Sequence, residues 1–110
     1  MAQETKAIPT QKEFVSAGLK ETFVLRGTKV ADKFTIAARQ SVYLRGMDPK
    51  VINREAQDFS YICATLGVVL VSPPTYDFSE VQDETALLTL WEEWDEWNRS
   101  FRSPEPGAAK

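Results

Sequence analysis

Residues 59–74 read FSYICATLGVVLVSPP, and they contain the clearest helical pattern of the chain. Its apolar residues continue a helical repeat with steps of four and three, which comprises Ile52, Ala56, Phe59, Cys63, Leu66 and Leu70. Toward its end the stretch is apolar on every side, so it predicts a buried central helix. Asp48 and Pro49 are suited to begin this helix, as N-cap and first helical residue. Pro73 and Pro74 are suited to end it.

Two elements are predicted before the central helix. Strand-forming residues lie between Glu13 and Arg26, and the pair Ala17-Gly18 could turn the chain into a short hairpin, which would need support from the helices or from another chain. A helix is then predicted from Thr28, as N-cap, to about Leu44, with Gly46 in the left-handed position after its end. A strand at 33–37 is the alternative. The apolar face of this helix is expected to consist of Val30, Phe34, Ala37, Ser41 and Leu44.

A last helix is predicted from Ser79 or Asp83 to about Arg102. We therefore expect a mainly α fold, a compact bundle of about three helices with a short N-terminal β-hairpin or extended segment. Residues 13–102 are expected to form a single α-helical domain. Residues 1–12 are predicted to be a mobile N-terminal segment, and residues 103–110 a disordered tail.

The composition excludes several classes of enzyme. The 110 residues contain no histidine and one cysteine, Cys63, so a Ser-His-Asp or Cys-His nucleophile, a Cys/His zinc site and an internal disulfide cannot be built within the chain. Neither of the glycine-rich phosphate-binding motifs, G-x-G-x-x-G and G-x-x-x-x-G-K, occurs in the sequence. Glu92 and Glu96 could be read as an acid/base pair, but two acids four residues apart are typical of the solvated face of a helix. We therefore expect no enzymatic activity, no cofactor and no metal, and we expect Cys63 to be a small buried hydrophobe.

Charge is distributed unevenly along the chain. Residues 1–54 hold ten Lys and Arg against five acids, whereas residues 76–110 hold nine acids against three bases. Head-to-tail contact between copies, a basic partner for the C-terminal half, or a chance difference between surfaces would each fit this pattern. The net charge of −3 argues against nucleic acid as a partner. The longest apolar-rich run, at 61–71, falls short of the ~20 residues that span a membrane, so we expect no membrane association.

All three tryptophans lie three residues apart in the last helix, interleaved with acids. They cover about 120° of the helix surface, so one edge of the group can enter the core while another faces outward. Tryptophan is common in binding hot spots, which makes this stripe the candidate partner-binding surface. Its members are Trp91, Trp94, Trp97 and Phe101. The alternative is that all three tryptophans pack in the core.

Three patches of the sequence carry a resemblance to a known family. They are VLRGTKVADKF at 24–34, ATLGVVLVSPP at 64–74, and LWEEW at 90–94 followed by Trp97 and Ser100-Phe101-Arg102. In order and spacing, over residues 22–102, the chain resembles the small tail assembly chaperones of long-tailed bacteriophages.

The resemblance implies a mostly α-helical protein without catalytic residues in the host cell cytoplasm. Such a protein coats the phage tape measure protein and keeps it soluble until the tail tube polymerises around it. The implied partners are the tape measure protein or another tail protein, with possible self-association. The alternative is a permanent structural component of a phage tail or neck, of the tail-completion or connector type, which would remain in the finished virion.

Overall fold

Three α-helices pack with a three-stranded antiparallel sheet in the computed structural model, which describes residues 10–102. The elements in chain order are β1 (Gln11–Ser16), β2 (Glu21–Arg26), α1 (Val30–Tyr43), α2 (Arg54–Val69), β3 (Leu70–Ser72) and α3 (Glu84–Arg102). The three helices and the N-terminal hairpin agree with the sequence-based expectation. Strand β3 was not expected, so the description as a mainly α bundle is approximate.

The predicted terminal segments fall largely outside the described residues. Residues 1–9 and the expected tail at 103–110 are not described. Gln11 and Lys12, which were assigned to the mobile segment, belong to β1.

The hairpin buries one face of β1 and β2 against the helices. Phe14 and Phe23 lie opposite each other in the register, and both are buried together with Leu25. The turn at 17–20 packs closely on α3, because a Cβ built on Gly18 would lie 2.6 Å from the Cβ of Ala86. The hairpin therefore rests on the helices, and glycine is required where its turn touches α3.

The central helix begins later than its sequence predicts. The carboxylate of Asp48 accepts a hydrogen bond from the Lys50 backbone N–H at 2.9 Å, and this contact starts only a 3₁₀ turn over Pro49–Val51. The side chain of Asn53 then caps α2 by accepting the Ala56 N–H at 2.8 Å. The predicted start at Asp48-Pro49 is therefore wrong, because Asn53 supplies a separate cap five residues further on.

The central helix also ends earlier than expected. Residues 70–72 leave the helix and pair with β2, where Leu25 faces Leu70 and Val24 faces Ser72. The run of valine and leucine at 68–71 suits a strand as well as a helix. The free edge of β2 decides the outcome, since it offers hydrogen bonds to an extended chain but none to a helix. Leu66 and Val69 nevertheless lie fully buried, as the central position of α2 requires.

The ends of the other two helices differ in part from the prediction. Lys29, not Thr28, occupies the N-cap of α1. At the other end Arg45 takes the first left-handed position (φ 58°) and Gly46 the next (φ 76°), and the Gly46 N–H bonds to the Ser41 carbonyl at 2.9 Å. For α3 the Asp83 start is correct, because its carboxylate accepts the Ala86 N–H at 3.0 Å. The Ser79 start is wrong, since Ser79 lies in a separate 3₁₀ turn.

The orientation of α1 is the largest departure from the sequence-based expectation. Its buried side chains are those of Asp32 and Ile36, followed by Leu44 just after the helix end. Of the face predicted to enter the core, Leu44 alone does so. The other members stand in solvent, with Val30 71% and Phe34 74% exposed.

The end of β2 explains this orientation. The guanidinium of Arg26 donates two hydrogen bonds to the Asp32 carboxylate, at 2.7 and 3.1 Å, and a third to the Val68 carbonyl at 3.2 Å. The backbone carbonyl of Arg26 accepts the indole N–H of Trp94 at 2.9 Å. We call these four residues the Arg26 junction. It joins β2 to all three helices, and it requires α1 to turn Asp32 inward.

Asp32 receives a further contact that fixes the start of α1. Its carboxylate accepts the backbone N–H of Lys29 at 2.7 Å. The hydrogen bonds from Arg26, and then that from Lys29, hold the pKa of Asp32 below its ordinary value, against the opposing effect of burial. Asp32 is therefore charged at neutral pH although it is buried.

We expect Asp32→Asn to lower the free energy of unfolding by about 2–3 kcal/mol at neutral pH, because charge-assisted hydrogen bonds to Arg26 are lost. A carboxyl whose folded pKa is depressed stabilises the protein above its unfolded pKa, near 4, and this contribution disappears as the pH falls through the folded value. The difference between wild type and Asp32→Asn should therefore narrow in urea titrations below about pH 4.

The matched control is Asp95→Asn, which removes a surface i, i+4 pair between the half-buried Asp95 and the exposed Arg99 (3.3 Å) on α3. Its cost should not exceed about 0.5 kcal/mol. Equal costs for the two variants would contradict the role assigned to the Arg26 junction.

Candidate functional site

Cys63 is the single thiol of the chain, and the structure confirms that it is buried. It lies beside a cleft of about 430 Å³ that is lined also by Phe59, Phe78 and Leu87. Burial, and secondarily the charge of Asp77, raises the pKa of the thiol to about 11. The thiol is therefore protonated at neutral pH and is a poor nucleophile.

We expect iodoacetamide to modify Cys63 at least about a hundredfold more slowly in the folded protein than in the denatured chain at about pH 8, because thiolate is the reacting species. Mass spectrometry of timed samples measures both rates. Similar rates in the two states would show that the thiol is accessible and has an ordinary pKa.

Within residues 10–102, no group of three or more His, Cys, Asp or Glu side chains is placed to hold a metal ion. None of the helices in this range combines the length and the apolar character that a bilayer span needs.

The tryptophans of α3 do not form one continuous surface. Trp94 is 1% exposed and packs in the core with Leu87 and Leu90. Its indole N–H donates a hydrogen bond to the Arg26 carbonyl. It is therefore a structural residue. Trp91 and Trp97 are half-buried, and their separation of six positions places them about 120° apart around the helix.

Each of the half-buried tryptophans belongs to a different part of the surface. Trp91 packs edge-to-face on Tyr61 of α2, with ring centroids 5.8 Å apart. Trp97 packs edge-to-face on Phe14 of β1 at 5.7 Å. Trp97 also lines a cleft of about 520 Å³ between β1 and α3, where Glu93 and Glu96 are neighbours. The side chain of Phe101, the fourth predicted member, lies outside the described part of the chain.

We expect Trp94→Ala to lower the free energy of unfolding by about 3–5 kcal/mol, since it empties a core site and leaves the Arg26 carbonyl without its donor. Trp91→Ala should cost about 1–2 kcal/mol, because its ring is partly in solvent. Chemical denaturation followed by circular dichroism measures both. Equal losses of stability would contradict the placement of Trp94 as the core member.

An exposed apolar surface lies on α1. We define the α1 outer face by side chains that are all exposed and that point away from the sheet and α2, namely Val30, Phe34, Ala37, Ala38, Ser41 and Val42. Val42 is 75% exposed, similar to Val30 and Phe34. Most helices direct such a face toward the core. The helical repeat of Val30 and Phe34 did reveal an apolar face, but the repeat alone does not say whether that face is covered.

The charges beside the two surfaces have opposite signs. Around the α1 outer face the exposed charged residues are Lys29, Lys33 and Arg39, and the acid Asp32 is buried against Arg26. The exposed side of α3 instead carries a row of acids, which comprises Glu84, Glu92, Glu93 and Glu96. The molecule thus presents one basic, apolar helix and one acidic helix with half-buried aromatic flanks.

Comparison of the chain with protein-family models, with curated proteins and with solved structures gives no match.

Proposed function

We propose that this protein is a non-enzymatic binding protein that acts as a phage tail assembly chaperone in the host cell cytoplasm. The main observation for the proposal is the α1 outer face, where Val30, Phe34 and Val42 are exposed to solvent. The opposite side of the same helix, with Asp32 and Ile36, packs on the rest of the fold. Contiguous exposed apolar surface of this kind is typical of protein interaction sites. The sequence resemblance to tail assembly chaperones supplies the more specific role and the tape measure protein as client.

The mechanism of such a chaperone requires contact and release, with no bond made or broken. Apolar side chains of the client would pack on α1 and so leave water, which favours binding in proportion to the area covered. The acids on the exposed side of α3 would keep the complex soluble. Release follows when the polymerising tail tube covers the same client surface. Trp91 and Trp97 are second candidates for contact with the client, whereas the buried Trp94 stabilises the fold and does not reach a client.

Co-expression with the tape measure protein encoded in the same genome tests the proposal. We expect the tape measure protein to remain in the soluble fraction with this chain and to precipitate without it. An unrelated acidic protein of similar size, expressed at the same level, is the control. Equal precipitation with and without the chain would contradict the chaperone role.

Quantitative mass spectrometry of purified virions separates the chaperone from the alternative. A chaperone leaves the particle before completion, so we expect no stoichiometric amount of this chain in finished virions. A fixed copy number per virion would identify it instead as a permanent component of the tail or neck.

A further inference from the structure

We infer that the α1 outer face binds an amphipathic α-helix whose apolar stripe is flanked by acidic side chains. The assignment of that helix to the client rests on the proposed function. The chemistry of the contact rests on the shape, the anchoring and the charge of α1 itself.

The shape of the α1 outer face fits a helix lying alongside it. Helix α1 has 14 residues and is therefore about 21 Å long, or roughly four turns. The outer face runs along the full length of the helix. Large side chains stand at Phe34 and Val42, and the small residues Ala37, Ala38 and Ser41 lie between them. Small side chains between larger ones allow a large side chain of a neighbouring helix to approach α1 closely there, as ridges fit grooves in packed helices.

The anchoring of α1 presents this face in a fixed orientation. Asp32 is held by Arg26 at the start of the helix, and Ile36 packs inward one turn later. Farther along, the Gln40 side chain donates to the hydroxyl of Ser60 on α2 at 3.1 Å, and Leu44 is buried after the last turn. A partner therefore meets a helix that is already ordered, and little ordering is required on binding.

The charge of α1 selects the kind of helix that can bind. Between residues 27 and 47 the single acid is Asp32, which is neutralised by Arg26. At ~100° per residue, Lys33 borders the face on one side of Phe34. Arg39 lies about 140° away on the other side, where its guanidinium reaches over Gly67 of α2, so the basic charge beside the face comes mainly from Lys33 and from Lys29 at the helix start. A second copy of α1 would bring these like charges together, which opposes a symmetric contact between two copies. A partner with acidic flanks would pair with them.

Two designed peptides of about 20 residues test the inference, since shorter helices are poorly formed in isolation. Both carry the same leucine and alanine stripe, and the flanking positions are Glu in one and Lys in the other. Fluorescence anisotropy with labelled peptide measures the affinity. We expect the Glu-flanked peptide to bind at least about tenfold more tightly than the Lys-flanked one, and to weaken in about 0.5 M NaCl because salt screens the flanking pairs.

Single substitutions locate the contact. Phe34→Ala and Lys33→Glu should each weaken binding of the Glu-flanked peptide by at least about tenfold. Val51→Ala and Lys50→Glu are the matched controls, since Val51 is 75% exposed and both residues lie in the 3₁₀ turn outside α1. Circular dichroism of each variant verifies that the fold is retained. The controls should bind like the wild type.

Three results would overturn the inference. They are equal affinity for the two peptides, an absence of binding by both, and equal losses in the α1 variants and their controls. Sedimentation that shows a dimer abolished by Phe34→Ala would instead assign the face to a second copy. If the peptide experiment fails while the tape measure protein is still kept soluble, the chaperone proposal stands and its contact surface lies elsewhere.

Discussion

The hydrogen-bonded ion pair between Arg26 and Asp32 is the constraint on which the rest of the arrangement depends. Arg26 ends the central strand of the sheet, and its guanidinium and carbonyl together reach α1, α2 and α3. Because the Asp32 carboxylate is buried and Arg26 is half-buried, the carboxylate is stable there only while it keeps its hydrogen-bond donors. A junction of this kind does not tolerate rotation of α1, and so one polar contact fixes the orientation of a whole helix.

That orientation has a consequence at the surface. With Asp32 turned inward, the alanines, valines and Phe34 of α1 are turned outward. The apolar interior is built instead from the sheet, α2 and α3, where Phe23, Leu66 and Trp94 are almost wholly buried. The domain thus obtains its core without the apolar side of α1. The same polar junction that completes the fold leaves that side available to a partner.

Local sequence signals predicted the helices and the hairpin better than they predicted how these elements pack against one another. The hairpin followed from strand formers on either side of a Gly18 turn, and Trp94 entered the core because it shares a helix face with Leu87 and Leu90. The rotation of α1 and the strand at 70–72 were missed. The strand at 70–72 depends on pairing with β2, which is distant in sequence. The rotation of α1 depends on the ion pair of Asp32 with Arg26, only six residues away, and a helical repeat of apolar residues identifies an apolar face without saying what covers it. The tryptophan spacing correctly indicated that one edge of the stripe enters the core, at Trp94, while Trp91 and Trp97 flank it, but it could not say which rings each flank contacts.

Solvent paramagnetic relaxation in the dilute protein measures directly which face of α1 is in water, since a soluble gadolinium chelate broadens the NMR signals of side chains that water reaches. We expect strong relaxation enhancement for the side chains of Val30, Phe34 and Val42, and little for Ile36 and Leu44. Asp32→Asn should reduce this contrast by loosening α1. A protected Phe34 beside an enhanced Ile36 would mean that α1 is rotated by about half a turn and that the Arg26–Asp32 pair does not set its orientation.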